Sequence, residues 1–283
     1  MQSSIEHASI IIDDPLLKEN YGFLNYRKLL REMDKHNFFT SIAFIPWNYN
    51  RTDESIAALF RERPDRFSLC VHGCDHTRGE FGITDLNDLD NIVKLATARM
   101  IEHEKNTGIP FERVMVFPQG IFSKEALEVL KKNHYIAAVN TEALPVNGDI
   151  DSNFPFYLRY TPENIANCIY GPKLIVLHHD YFKKGYERLI DFVDALNAQS
   201  KHIGWGSVGN VIRHYSVNHE VAQDYPLNID LTGRKYHGYK KYAEILIRRH
   251  ICEFRDNYLS KNDFILNCAN RIKVLINPAA SYR

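Results

Sequence analysis

Two histidines, His72 and His76, have the residue type and the spacing needed to bind one metal ion. On a helix, positions i and i+4 put both imidazoles on one face, but Gly73 directly after the first histidine predicts a turn or a short helix instead. Either geometry lets two neutral imidazoles reach the same ion. Each histidine alone is most simply a hydrogen-bonded polar residue, whereas the pair, with carboxylates available, indicates a metal site.

Two adjacent aspartates, Asp13 and Asp14, follow an apolar run at residues 10–12. Neighbouring residues of a strand point to opposite faces, so both carboxylates can address one site only if the strand ends there. Pro15 favours that ending because it lacks a backbone donor and restricts the residue before it. Two close carboxylates repel unless a cation lies between them, so the pair predicts one metal ligand and one proton acceptor. A helix cap is the simpler alternative.

Further polar clusters follow other predicted strands, with the sequences VHGCDH, FPQG and LHHD. In a barrel of parallel strands the C-terminal ends of the strands gather on one rim, where active sites are built. One such cluster would be a weak signal, because an Asp before a helix is often only a cap. Four clusters on one rim, rich in Asp and His, predict a catalytic site.

The elements that must position these clusters alternate between short β-branched runs and amphipathic helical patterns, which indicates a mainly parallel sheet. The predicted strands are residues 9–13, 40–45, 67–71, 114–117, 135–139, 174–177 and, more weakly, 202–205. The segment NYRKLLREMDKH, residues 25–36, is predicted to be a helix. About seven βα units favour a TIM-like (β/α)7 barrel in an α/β chain, with a doubly wound sheet as the alternative.

The alternation stops near residue 215, so we predict a barrel domain at 1–214 and a helical extension at 215–283. The segment KKYAEILIRRHICEFRDNYL carries a partial apolar stripe and predicts one helix, with a second helical stretch after Ser260. The extension is interpreted either as helices packed on the barrel or as a surface for a homo-oligomer.

Composition excludes several classes of partner. The chain of 283 residues has 35 Lys and Arg against 35 Asp and Glu. Its net charge is therefore zero, and nothing in the charge balance predicts binding to nucleic acid or to a membrane surface. The five cysteines include no CxxC pair, which favours reduced thiols and a cytoplasmic location. We find neither a signal-peptide pattern nor an apolar run of membrane-spanning length.

The motifs IIIDDP, HGCDH, FPQG and LIVLHHD resemble, in order and spacing, those of the polysaccharide deacetylases, the NodB-like domains of carbohydrate esterase family 4. The resemblance covers about residues 5–214 and implies a distorted (β/α) barrel. It implies that Asp14, His72 and His76 hold a divalent metal, most simply Zn²⁺. Fe(II), Co²⁺ and Mn²⁺ also suit two histidines and a carboxylate.

The resemblance also implies catalytic roles. Asp13 would be the general base, the metal and a backbone N–H near Gln119 would stabilise the oxyanion, and a histidine would protonate the departing amine. His178 and His179 compete for that last role, and the family's pattern of Leu, any residue, His favours His179. The implied reaction is removal of N-acetyl groups from an amino sugar or polysaccharide.

The sequence departs from the family pattern in its third and fourth motifs. The arginine that orients the base, two residues before the proline, is replaced by Val116, and the aromatic residue after the proline is Gln119. The tryptophan-containing fourth motif has no clear match, although Arg159 could supply a cation from another strand. These departures predict a divergent subgroup.

Other residues are candidates for contact with the sugar or with the cleft. Trp47 is either a stacking platform or a packing residue, and Cys74 is a minor candidate for a fourth ligand. Arg78 and Glu80 either line the cleft or, as the simpler interpretation, are solvated. The predicted substrate-binding residues are Trp47, Pro118, Gln119, Gly120 and Arg159.

Four functions remain open at this point, one of them a structural interaction protein that only the C-terminal helices favour. The first is a metal-dependent carbohydrate deacetylase, and the second is a hydrolase of a small non-sugar amide. The third is a catalytically impaired module that binds metal and carbohydrate, which Val116 in place of an arginine favours.

Overall fold

The computed structural model describes residues 6–19, 21–150, 152–199 and 203–215, together with residues 231, 247, 250 and 251. Its strands are β1 (Glu6–Asp13), β2 (Thr40–Phe44), β3 (Phe67–His72), β4 (Phe111–Val116), β5 (Ala137–Asn140), β6 (Phe156–Leu158), β7 (Lys173–His178) and β8 (Ile203–Trp205). Its helices are α1 (Tyr26–His36), α2 (Glu54–Glu62), α3 (Leu86–Thr107), α4 (Lys124–Lys132), α5 (Glu187–Gln199) and α6 (Val208–Tyr215). Short 3-10 turns follow β2, β4 and β7.

The strands pair in parallel in the order β6-β5-β4-β3-β2-β1-β7, and β8 pairs with the start of β1. A parallel bridge between Tyr160 and Ile175 connects the two outer strands of this order. The backbone N–H of Tyr160 donates to Leu174 O at 2.8 Å, and Val176 N donates to Tyr160 O at 2.8 Å. The sheet therefore curls into a distorted barrel, which confirms the predicted α/β fold class.

Two apolar clusters define the inside and the outside of the barrel. The inner cluster joins alternate residues of six strands to α6, and its strand members are Ile11, Ala43, Cys70, Val114, Val116, Ala137, Val139 and Leu174. The outer cluster contains the other strand residues together with the apolar faces of α1 to α5. Since side chains alternate along a strand, Asp13, His72 and His178 continue the inward-facing rows at the C-terminal rim.

Helix α1 shows how local sequence sets the elements around the sheet. The Asn25 side chain accepts a hydrogen bond from Lys28 N, which caps the first turn, and Asn37 ends the helix in a left-handed conformation. Leu29 and Met33, one turn apart, lie buried against the barrel. The helix predicted at residues 25–36 is therefore confirmed, with a start one residue later.

The sequence prediction missed β6 and cannot be assessed beyond the barrel. The segment of β6 is apolar, with the sequence FYL, but it has only three residues, which is too short to give a periodic strand signal. Most of the predicted extension at 215–283 lies outside the described residues, which end this part of the chain at Tyr215, so its helices stay a prediction. Within the described residues, no helix combines the length and the apolar character needed to cross a membrane.

Candidate metal centre and active site

The three predicted metal ligands meet at the C-terminal rim of the barrel. Oδ1 of Asp14 lies 3.2 Å from Nε2 of His72 and 3.1 Å from Nε2 of His76. One potential ligand atom from each residue falls within a group whose members are all within 4.8 Å of one another. The chain thus brings together, from two separate segments, a donor set that one ion could share.

Backbone turns explain how adjacent aspartates reach one site. Asp13 ends β1 and points into the barrel, whereas Asp14 has a φ of 73°, in the left-handed region. This conformation costs a non-glycine residue of order 1–3 kcal/mol, and Asp tolerates it better than most residues. The turn brings the second carboxylate back over the rim, so the strand ends where the sequence predicted.

Both histidines are held through the ring nitrogen that faces away from Asp14. Nδ1 of His72 lies 3.0 Å from the carbonyl oxygen of Val116, which can only accept, so Nδ1 carries the proton and Nε2 has a free lone pair. Nδ1 of His76 contacts the amide of Gln119, with Nε2 of the amide at 3.3 Å. Anchors of this kind orient imidazole ligands at metal sites.

The residues present fit a divalent cation. Oδ1 of Asp14 is buried, and no donor among the described residues meets it with hydrogen-bond geometry. Two histidines and one carboxylate are a donor set that Zn²⁺, Fe(II), Co²⁺ and Mn²⁺ accept.

Asp13 lies beside the metal centre and forms an ion pair with Arg159, whose Nη1 is 2.6 Å from Oδ1 of Asp13. Both side chains are buried. Burial would raise the pKa of Asp13, but the guanidinium and the neighbouring His72 lower it below its usual value. The carboxylate is therefore ionised at neutral pH and able to accept a proton. Sequence analysis grouped Arg159 with the substrate-binding residues, and its contact in the structure is with Asp13.

His178, the last residue of β7, and His179, directly after it, occupy different environments. His178 ends the inward-facing row of β7, opposite Asp13 in the strand register, and its Nε2 lies 3.8 Å from Oδ2 of Asp13. The side chain of His178 is 56% exposed, so it can meet a substrate. The ring of His179 lies 5.7 Å from the ring of Tyr21, under Gly22, where an added Cβ would come 2.5 Å from Nδ1.

The predicted substrate-binding turn forms one wall of the site. Pro118, Gln119 and Gly120 make a 3-10 turn after β4, and the last two have φ values of 54° and 71°. Nδ2 of Asn140 donates to Gly120 O at 3.0 Å and fixes the turn to the end of β5. This conformation directs the amide of Gln119 to His76.

Trp47 lies near this rim but not on its surface. Its side chain is 4% exposed and packs against Ile45, and its backbone N–H donates to Cys74 O at 3.0 Å. The ring therefore has the surroundings of a packing residue. Sγ of Cys74 lies 3.4 Å from Nη1 of Arg99 and is outside the group of potential metal ligands found in the described residues.

Sequence reasoning missed two buried charges beside the ligand loop. Glu80, interpreted as solvated, is 2% exposed and accepts hydrogen bonds from the backbone of residues 74–77. Arg99 is 1% exposed and pairs with Asp75 at 2.5 Å. The spacing Thr77-x-x-Glu80 is that of a capping box and could have indicated the first of these.

Comparison with known proteins identifies the fold. No protein-family model matches the sequence, and no curated protein matches it. A structure from Mycobacterium smegmatis, named as a polysaccharide deacetylase, is similar with a TM-score of 0.52 and 11% identity, covering 80% of this chain and 97% of that one.

A second similar structure is the Xyl-CE4 domain of a multidomain xylanase from the hindgut metagenome of Trinervitermes trinervoides. Its TM-score is 0.51 at 13% identity, and the match covers 77% of this chain and 95% of that one. At these identities the likeness concerns the fold, and it agrees with the resemblance predicted from the motifs. The chain is thus a divergent sequence with the fold of the polysaccharide deacetylases of carbohydrate esterase family 4.

Proposed function

We propose that this chain is a metal-dependent hydrolase that removes N-acetyl groups from an amino sugar or polysaccharide. The observation that carries the proposal is the pairing of two adjacent carboxylates with different partners. Asp14 faces two imidazoles, whereas Asp13 faces a guanidinium. These two environments support a metal-binding role for Asp14 and a proton-transfer role for Asp13.

The proposed ligands are Asp14, His72 and His76, with zinc as the proposed ion. A divalent cation in this site supplies the Lewis acidity that activates water and polarises the acyl carbonyl. Asp13 accepts a proton from the attacking water, because its carboxylate is ionised and lies beside the ligands. Arg159 keeps Asp13 in one orientation and compensates its charge in a buried place.

The general acid is a histidine of the 178–179 pair, and strand parity favours His178. It shares the inward face of the barrel with Asp13 and remains partly exposed. From this position it donates a proton to the departing amine nitrogen, without which the amine is a poor leaving group. His179, which the motif pattern favoured, is the alternative.

The turn at Pro118, Gln119 and Gly120 is the proposed wall that contacts the acyl group. The backbone N–H of Gln119 is the proposed donor that stabilises negative charge on the carbonyl oxygen as the tetrahedral centre forms, because Pro118 has no N–H and that of Gly120 donates to Phe117 O. The free, buried thiols of Cys70, Cys74 and Cys168 support a reducing, cytoplasmic setting for the reaction.

The alternative of an impaired binding module loses its main argument. That argument rested on Val116, which leaves the base without the arginine of the third motif. In the structure Arg159 provides the guanidinium at Asp13 from the end of β6. A hydrolase of a small non-sugar amide remains the second candidate, because the same site would serve it.

Metal analysis of the purified protein, followed by acetate release from N-acetylhexosamine oligomers and from small amides, tests the proposal. We expect one divalent ion per chain, acetate release from the sugars, and loss of both the ion and the activity in Asp14→Asn. Asp13→Asn should keep the ion and lose activity by at least ~100-fold. Full activity in Asp13→Asn would reject the assignment of the base, and stoichiometric metal without turnover would select the binding module.

A further inference from the structure

We infer that Glu80 is a positioning residue that shapes the metal-ligand loop before any ion binds. The inference rests on the proposed metal site and assigns a function to a carboxylate that touches neither the ligand atoms nor the proposed base. The loop in question consists of residues 73–77 and carries His76.

One buried carboxylate collects the loop's backbone donors. Oε1 of Glu80 accepts from Cys74 N at 2.8 Å and from His76 N at 3.2 Å. Oε2 accepts from Asp75 N at 3.1 Å, and from the backbone N–H and the hydroxyl of Thr77 at 3.3 and 3.2 Å. Successive N–H groups that converge in this way form a concave anion site, and here the chain fills it with its own side chain. Bonds to an ionised acceptor are stronger than neutral ones.

The backbone angles of the loop and the close approach of Glu80 both require glycine at position 73. Gly73 and His76 have φ values of 64° and 57°, both in the left-handed region. An added Cβ on Gly73 would come 2.3 Å from Oε1 of Glu80 and 2.3 Å from Cγ of Pro118. Glycine is therefore needed at 73 for its backbone angle and for the close approach of the carboxylate.

The consequence for the site is a loop ordered in advance. His76 N is bound to Glu80, while its ring reaches Asp14 at 3.1 Å. On the opposite side, Asp75 is paired with the buried Arg99. Ordering a loop costs conformational free energy, and a loop that is already ordered does not pay that cost when the ion binds. Metal affinity should therefore depend on Glu80, although Glu80 is not itself a proposed ligand.

The experiment compares Glu80 with Glu112, a partly buried glutamate that accepts hydrogen bonds at the opposite end of the barrel. Glu80→Gln removes the charge and turns two N–H groups of the amide toward backbone donors. The matched control is Glu112→Gln, because Glu112 accepts from Gly209 N at 3.0 Å and Ser207 Oγ at 2.6 Å, next to α6. Zinc affinity is measured by competition with a chromophoric chelator, and amide hydrogen exchange of residues 74–77 is measured without metal.

We expect Glu80→Gln to weaken zinc binding by about 10–100-fold and to speed exchange in the loop, whereas Glu112→Gln keeps wild-type affinity. Thr77→Val, which deletes one bond to Oε2, is the milder variant if Glu80→Gln does not fold, with an expected loss of about two- to fivefold. Wild-type zinc affinity in both site variants would overturn the inference while leaving the proposed function intact. A wild-type protein that binds no zinc would instead overturn the metal site itself, and the inference with it.

Discussion

Nη1 of Arg159 and Oδ1 of Asp13 lie 2.6 Å apart although 146 positions separate the residues in sequence. The pair is buried, so neither charge is tolerated there without the other. Its position beside the proposed metal ligands makes the guanidinium a determinant of how strongly Asp13 holds a proton.

Replacing Arg159 should impair the base most at low pH. The guanidinium and His72 lower the pKa of Asp13 against the effect of burial, so Arg159→Met raises it. The acid limb of the kcat/KM profile then moves to higher pH, and activity at pH 6 falls further than activity at pH 8. Arg159→Lys, which keeps the charge, should retain more of the wild-type profile. An unshifted acid limb in Arg159→Met would contradict this role.

The catalytic roles of His178 and His179 can be distinguished with substrates that differ in their leaving group. His178→Gln should lose about 10²–10⁴-fold on an amide substrate, because the amine needs a proton to depart. On an aryl acetate, whose leaving group needs no proton, the same variant should lose far less. His179→Gln provides the comparison and should lower both activities by the same factor. The reverse pattern would make His179 the acid.

Gln119 should tune the affinity for metal through His76. For Nε2 of His76 to offer a lone pair, Nδ1 must carry the proton and face an acceptor, which the amide oxygen provides after a half-turn of the side chain. Gln119→Leu removes the acceptor and should weaken zinc binding by about tenfold. Gln119→Glu offers a stronger acceptor and should bind zinc at least as tightly as the wild type, as measured by chelator competition. Equal zinc affinities of Gln119→Leu and the wild type would show that Gln119 does not orient His76 for metal binding.

His103 should make the barrel sensitive to mild acid. Burial lowers its pKa to about 4 from 6.5, while Nε2 contacts Thr52 Oγ1 at 2.8 Å. Between these two pKa values the unfolded chain binds a proton at His103 that the folded chain does not bind. The contribution of neutral His103 to the free energy of unfolding is therefore fully present above the unfolded pKa and is lost as the pH drops toward 4. The expected loss between pH 7 and pH 5 is about 2 kcal/mol.

Urea unfolding of the wild type and of His103→Gln at pH 7 and pH 5 measures that contribution. The variant is less stable at pH 7 if the Thr52 contact matters, but its change between the two pH values should be smaller by about 2 kcal/mol. An identical pH dependence in both proteins would show that His103 titrates normally in the folded state.

The barrel and the ligand triad could be predicted because their signals are local. Apolar runs marked most strands; Asp14 directly follows β1, His72 ends β3, and His76 lies in the loop after β3. The fold has been confirmed by structural similarity, and the three proposed ligands lie close enough together to share an ion. Catalytic roles remain predictions for the experiments above.

The partners of the charged residues could not be predicted, because they depend on the path of the chain. Glu80 has a polar neighbourhood in sequence, HTRGEF, and the simplest expectation was a solvated side chain. The left-handed turns at Gly73 and His76 fold the loop around it and exclude water. The sequence named Arg159 as a possible source of a cation from another strand, but Arg159 follows a strand of only three residues, so the contact of its side chain with Asp13 appears only in three dimensions.

The short connection that completes the barrel has a further consequence. Arg159 N donates to Asn140 O at 2.9 Å, and the next residue, Tyr160, bonds to β7. Separating β6 from β7 would therefore also move the Arg159 guanidinium away from Asp13. The Asp13 carboxylate would then be buried without its partner, at a cost of about 3–5 kcal/mol. The ion pair between Asp13 and Arg159 therefore helps to hold the barrel closed. A substitution that weakens the closure of the barrel should also raise the pKa of Asp13.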